Sequence, residues 1–359
     1  MRILHVVGAR PNFMKAAPVI LALQGRTGVS QAIVHTGQHY DRNMSEVFFE
    51  ELGIPRPDVN LEVGSGSHAV QTAQIMMRFE EVVLKDRPDW VVVYGDINST
   101  AAATLVCAKL GIHVAHVEAG LRSRDRTMPE EINRLVTDQL ADLLLTPSPD
   151  GGENLLREGI PAAKIRFVGN AMIDTLIRLL PTVKPPQYPD LAGRYVLVTL
   201  HRPSNVDDVD MLRSIVNVLT LIGQDIQVVF PVHPRTLRRL SDAKIELPQE
   251  RTKLLQIEPV GYLEFLALQR NATVVITDSG GVQEETTYLG VPCITVRENT
   301  ERPVTVTEGT NRLVGQDMGL LCNVVKEILA GHPKTGRVPE LWDGRAGERI
   351  ADELIRCHG

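Results

Sequence analysis

Short apolar runs alternate along this chain with longer segments of mixed polarity, and most runs close on a glycine or a polar residue. Ile3–Val7 precedes Gly8-Ala9-Arg10-Pro11 and a helical pattern through Phe13–Leu23. Ala32–His35 leads into Thr36-Gly37-Gln38-His39, and Val91–Tyr94 into Gly95-Asp96 and a helix from Asn98 to Leu110. His113–Val117 and Leu143–Thr146 repeat the unit. Near-continuous apolar strands spaced by helices predict parallel sheets covered on both faces.

A proline-dense connector, 181–190, interrupts the series and reads as a domain boundary. A second series follows at once: Tyr195–Leu200 before His201, then Gln227–Pro231, Lys253–Ile257 and Thr273–Thr277. The predicted organisation is an N-terminal Rossmann-like domain over 1–180 and a second over 181–343. The amphipathic stretch Gly344–Cys357 completes the second domain or crosses back to brace the first.

With 359 residues the chain is long enough for two cores. A formal charge of −6 gives no support for nonspecific nucleic-acid binding, although a local phosphate site needs only one or two arginines. Cys107, Cys293, Cys322 and Cys357 form no CxxC pair, so packed thiols are expected rather than zinc; Cys293 is placed at the end of an apolar strand. The opening MRILHVVGARPN lacks the charged-then-apolar pattern of a signal peptide, and no apolar run reaches membrane-spanning length. A soluble, cytoplasmic protein without membrane insertion is expected.

Ligands in doubly wound sheets sit beyond the carboxyl ends of strands, so residues at those ends are the candidates for chemistry. Arg10 and Lys15 follow the first strand, where their charges suit a diphosphate or a sugar or simply form a basic surface pair. Asp96 stands between a strand and a helix start, positioned equally for capping that helix or for exchanging a proton. Glu118 lies at another strand mouth, and Glu130 and Glu131 open a helix after Pro129, with Arg134 one turn on. Three acidic positions, Asp96, Glu118 and Glu130, supply a base, an acid and a group that tunes them.

In the second half His201 follows a strand, and His233 does the same as a more peripheral candidate. Asp278-Ser279-Gly280-Gly281 precedes a helical segment, the context in which Ser279 and glycine amides hold phosphate at a helix N-terminus. Glu285 lies further along, placed to accept from ribose hydroxyls. Arg297 and Arg302 flank a loop where one arginine neutralises a diphosphate, Arg302 being favoured beside Pro303. Gly-Lys-Ser/Thr of a P-loop is absent, as is any persuasive metal-ligand spacing.

These motifs, in order, resemble the non-hydrolysing UDP-N-acetylglucosamine 2-epimerase family. The likeness runs from GARPNFMKAAPV (8–19) through TGQHYD (36–41), YGDINST (94–100), HVEAGLRS (116–123), PEEINR (129–134) and GNAMIDTL (169–176). It continues through TLHRPSNVD (199–207), FPVHPR (230–235) and TDSGGVQEE (277–285) to ENTERPVTVTEGTNRLVG (298–315). The resemblance implies an α/β, GT-B architecture of two Rossmann-like domains facing across a cleft, and a homodimer. It implies catalytic roles for Asp96, Glu118, Glu130 and His201, Glu131 being the less favoured of its pair. Arg10, Lys15, Arg134, Ser279, Gly280, Gly281, Glu285 and Arg302 are implied in binding the UDP-sugar.

The implied reaction interconverts UDP-N-acetylglucosamine and UDP-N-acetylmannosamine through 2-acetamidoglucal and UDP, with no cofactor. Two loops depart from well-known members: His201-Arg202-Pro203-Ser204-Asn205 replaces His-Arg-Arg-Glu, and Gln38-His39-Tyr40-Asp41 replaces Gln-His-Arg-Glu. The second departure falls where some bacterial members bind an activating substrate molecule, so activation is not carried over. Both departures fit a modified substrate such as a diacetamido uronic acid derivative. A hydrolysing epimerase, a GT-B glycosyltransferase and a noncatalytic UDP-sugar sensor are the competing readings; the acidic cluster argues against the sensor.

Overall fold

The computed structural model describes residues 1–37, 49, 51–186, 188, 191, 193–247 and 253–358. Gln38, His39, Tyr40 and Asp41, and Pro189 and Asp190 of the connector, lie outside the described residues. The chain forms two compact units, Met1–Arg178 with Glu340–Gly359, and Leu179–Pro339.

The first unit is a seven-stranded sheet ordered β3-β2-β1-β4-β5-β6-β7, with every neighbouring pair parallel. Its strands are β1 (Arg2–Val7), β2 (Ser30–His35), β3 (Val59–Asn60), β4 (Trp90–Tyr94), β5 (His113–Val117), β6 (Leu143–Thr146) and β7 (Ile165–Phe167). All of β4 and β6 is buried, as continuous apolar runs require of strands covered on two faces. The helix Asn98–Leu110 is alanine-rich because it packs against both His68–Lys85 and Pro129–Leu140. It stops at Gly111, whose φ of 62° is the left-handed helix end that glycine adopts without a Cβ penalty.

The C-terminal helix Ala346–His358 packs against Arg10–Leu23 within this unit. A Cβ on Gly347 would meet the carbonyl carbon of Pro18 at 2.6 Å, so the close crossing depends on glycine. Pro18 sits inside its helix and has no amide to give the carbonyl of Met14. Thr175 Oγ1 donates to that carbonyl at 2.6 Å, so the orphaned acceptor is satisfied.

The second unit repeats the design with six strands ordered β10-β9-β8-β11-β12-β13, again all parallel. They are β8 (Tyr195–Thr199), β9 (Gln227–Pro231), β10 (Leu254–Ile257), β11 (Val274–Thr277), β12 (Cys293–Thr295) and β13 (Asn311–Leu313). Aliphatic side chains fill both faces, with Val196, Val198 and Ile276 in one layer and Leu197, Val229 and Val275 in the other. Each sheet reverses strand order once, between β1 and β4 and between β8 and β11. Those reversals open the crevices where doubly wound sheets take ligands.

The α/β class and the parallel sheets are those the sequence pattern predicts. Four edge or short strands, β3, β7, β12 and β13, are two to three residues long and too brief to register as periodic runs. Cys293 begins β12 rather than ending a strand, which corrects the sequence expectation; the run Leu289-Gly290-Val291-Pro292 before it is turned by Gly290 at φ 70°. Cys107, Cys293 and Cys322 are buried free thiols and Cys357 is exposed. Among the described residues no helix is long and apolar enough to cross a membrane, and no group of three His, Cys, Asp or Glu suits a metal.

Candidate active site

At the first unit's reversal β1 is followed by Gly8 and β4 by Gly95-Asp96. A Cβ on Gly8 would collide with Ser99 Oγ and Thr36 Oγ1, so only glycine allows these three segments to converge. Asn12 stitches the crevice: its Oδ1 accepts from the amides of Gly8 and Ala9 at 3.2 Å, and its Nδ2 donates to Tyr94 O at 2.8 Å. Arg10 opens the following helix on an exposed position.

Lys15, one turn further along that helix, is buried with its ammonium 2.6 Å from Glu118 Oε2. Gly95 makes room for it; a Cβ there would lie 2.8 Å from Lys15 Nζ. Glu118 follows β5 with φ 74°, a left-handed conformation that costs a non-glycine residue about 1 kcal/mol or more. Its amide and that of Ala119 both donate to Leu145 O at 3.1 Å, which fixes the bend.

Asp96 pairs with Arg134, which is almost fully buried on the helix Pro129–Leu140. The other side of the guanidinium is held by Glu131, at 3.0 Å from Nε and 2.7 Å from Nη2. Glu131 also accepts from the amides of Ser123 (3.0 Å) and Arg124 (2.9 Å). Burial opposes its charge, but the Ser123 amide and Arg134 outweigh that and hold its carboxyl below the usual range. Glu131 is therefore a clamp for Arg134 and the 121–124 loop. Its neighbour Glu130 is half-buried on the first turn, and its side chain has no hydrogen bond or ion pair among the described residues.

The second unit's reversal gathers a different set. Asp278, at the end of β11, is completely buried and accepts from the amides of His201 (3.0 Å) and Arg202 (2.9 Å), from Asn205 Nδ2 (3.0 Å) and from His201 Nδ1 (3.0 Å). Against its burial, His201 and the Arg202 amide keep this carboxyl ionised below the usual range. His201 is thereby oriented at the mouth of β8, with the ring of His233 at 5.6 Å. Burial and then the charge of His201 lower the His233 value.

Ser279 precedes the helix Gly280–Leu289, and its hydroxyl makes no capping bond. A Cβ on Gly280 would strike the Arg302 guanidinium, so the arginine lies directly over the helix N-terminus. Arg302 is held by Glu284 at 3.0 Å and Glu301 at 2.5 Å, and Glu301 also takes Arg297 at 2.6 Å. Burial disfavours the Glu301 charge, yet Arg302 and Arg297 hold it well below the usual carboxylate range. Glu285 is buried, accepting from Tyr262 at 2.9 Å and from the Gln269 amide at 3.0 Å when that nitrogen faces it.

Lys15, Asp96, Glu118 and Arg134 thus meet at neighbouring strand ends of one unit. His201, Ser279, Gly280 and Arg302 meet at the mouths of the other. The local sequence does not single out Glu301, Glu284 or the positioning part of Asp278. Each lies inside a quoted motif, but only the tertiary contacts distinguish a clamp from a surface charge.

The family profile described as UDP-N-acetylglucosamine 2-epimerase matches residues 21–355. The UDP-N-acetylglucosamine 2-epimerase of Methanocaldococcus jannaschii is 45% identical over 360 residues, with 98% of each chain covered. The UDP-2,3-diacetamido-2,3-dideoxy-D-glucuronate 2-epimerase of Pseudomonas aeruginosa is 42% identical, covering 99% of this chain and 100% of its own. The crystal structure of the M. jannaschii UDP-GlcNAc 2-epimerase in complex with UDP-GlcNAc and UDP superposes with a TM-score of 0.91 at 44% identity, over 99% of this chain and 100% of that one. Such similarity along almost the whole length, together with a carboxylate cluster and a Ser-Gly-Gly helix start at the two strand reversals, means that the chain belongs to the UDP-N-acetylglucosamine 2-epimerase family.

Proposed function

We propose that this protein is an isomerase that interconverts UDP-N-acetylglucosamine and UDP-N-acetylmannosamine by inverting C2. The observation that carries the reading is the placement of Asp96 and Glu118 at the ends of adjacent strands, each charge-paired with a buried cation. A carboxylate takes the C2 proton, the C2–H electron pair forms the C1–C2 double bond, and the C1–O bond breaks with its electrons on UDP. Return of UDP to C1, with protonation of C2 from the opposite face, gives the epimer. Two carboxylates with separate cations suit an acid and a base that exchange roles between directions.

The diphosphate gains charge as it departs, and positive or donor groups aimed at that charge lower the barrier. His201, Arg302, Ser279 and the amides of Gly280 and Gly281 fill this role, with Arg10 and Glu285 completing contacts to diphosphate and ribose. Glu130 joins Asp96 and Glu118 as the third carboxylate of the sugar site. Retention of both fragments keeps the reaction an epimerisation. The reading includes a homodimer, which light scattering on the purified protein measures directly.

Proton NMR in deuterated water with UDP-N-acetylglucosamine tests the proposal. UDP-N-acetylmannosamine deuterated at C2, with UDP still attached, is the expected product. Free N-acetylmannosamine with UDP identifies a hydrolysing enzyme, and inertness alongside turnover of a UDP-diacetamido uronic acid identifies a different substrate. Either result overturns the proposal.

A further inference from the structure

His116 lies in β5 and is completely buried, and both of its ring nitrogens face acceptors. Nδ1 is 2.6 Å from Asp138 Oδ1, and Nε2 is 2.8 Å from the carbonyl oxygen of Gly95. A backbone carbonyl can only accept, so Nε2 carries hydrogen. Asp138 is committed on its other oxygen to two donors, Gly120 N at 3.1 Å and Arg122 Nη1 at 2.7 Å. Arg122 in turn holds Glu158 through Nε at 2.8 Å and Nη2 at 2.7 Å. Held by the Arg122 guanidinium and the Gly120 amide, Asp138 is a carboxylate and can only accept, so Nδ1 carries hydrogen as well.

We infer that His116, donating from both ring nitrogens, positions the Gly95–Asp96 turn against the loop carrying Glu118. The Gly95 amide donates to Val117 O at 3.0 Å while its carbonyl takes the His116 proton, so this one residue is pinned on both sides by β5. Asp138 extends the same device to Gly120, two residues past Glu118. The turn it fixes bears Asp96 and borders Lys15, whose ammonium passes over Gly95 to Glu118. His116 is a positioning residue and touches no substrate. The inference rests on the proposed C2 chemistry for its consequence, but not for the protonation of the ring.

The test has two arms. Nitrogen-15 NMR of the histidine-labelled full chain, with the ring assigned through its own backbone, is recorded at the pH of the exchange assay. Both His116 nitrogens are expected to bear protons there, and a ring with one bare nitrogen overturns the inference. In the second arm His116→Gln removes one of the two donors. C2 exchange is expected to lose about 10- to 100-fold in kcat, the usual cost of removing an outer positioning contact, with KM for the UDP-sugar and affinity for UDP little changed. Wild-type kcat in this variant overturns the inference, and a variant that fails to fold leaves the ring spectrum to decide. Absence of C2 exchange in the wild type would sink the proposed function while the spectrum still reads the ring.

Discussion

Lys15 Nζ and Glu118 Oε2 stand 2.6 Å apart in a part of the first unit that is closed to solvent. The pair joins the helix after β1 to the bend after β5, and so ties the two sides of the sheet reversal by charge. Removing one partner of such a buried pair leaves the other charged in a low-dielectric site.

Lys15→Met is therefore expected to destabilise the first unit by about 3 kcal/mol, and Lys15→Met with Glu118→Gln to recover part of that loss. Both tryptophans, Trp90 and Trp342, are buried in this unit, so their fluorescence in urea follows its unfolding without contribution from the other. Equal stability of Lys15→Met and wild type would show that the pair contributes nothing.

Asp96→Asn keeps the shape of the Arg134 contact and removes the exchangeable carboxylate. C2 exchange should fall by about 100-fold or more, while UDP affinity, assigned to the second unit, stays near wild type. Arg134→Lys should lose nearly as much rate, because an ammonium cannot bridge Asp96 and both Glu131 contacts as a planar fork does. Calorimetry with UDP and exchange rates in deuterated water separate binding from chemistry.

Gly280→Ala places a methyl group where the Arg302 guanidinium lies. The arginine must move off the helix N-terminus, and with it one charge assigned to the diphosphate. UDP affinity is expected to drop about tenfold, on the order of 1.4 kcal/mol, as read by isothermal titration. Unchanged affinity would remove Arg302 from the proposed diphosphate site.

Asp174 offers a pH signature away from the chemistry. Burial raises its value from 3.8 to about 6, although the Gly347 amide donates to it at 2.7 Å. Because the folded value lies above the unfolded one, the native unit holds an extra proton between these limits. Its stabilising effect is complete below pH 3.8 and is lost as pH rises through about 6. Asp174→Asn, which can still cap Gly347, should gain on wild type by on the order of 2 kcal/mol between about pH 4 and pH 7. Urea unfolding at the two values measures the difference, and a constant gap would contradict the assignment.

Much of the frame was legible in the chain. Runs such as Val91-Val92-Val93-Tyr94 and Val274-Val275-Ile276-Thr277 are buried on both faces, so hydrophobicity alone marks them as interior parallel strands. The glycines after them marked the ligand-facing turns, because a strand that must turn at once into a helix leaves little room for a Cβ. Glycine at 8 and 280 is enforced by side chains from distant segments, Ser99 in one case and Arg302 in the other.

By itself the sequence determined the α/β alternation, the two strand–helix series and the family, since these are written in local pattern and in ordered motifs. The tertiary structure decided which acidic residues serve as clamps and which stand clear of such contacts. Glu130 and Glu131 are adjacent and chemically alike, yet one turns to the loop amides and Arg134 while the other stands clear. Helical geometry points consecutive side chains about 100° apart, so the distinction depends on what packs around each direction. His116 shows the same division: its place in a strand is local information, whereas its two acceptors come from the end of β4 and from the helix Pro129–Leu140, and only folding brings them together.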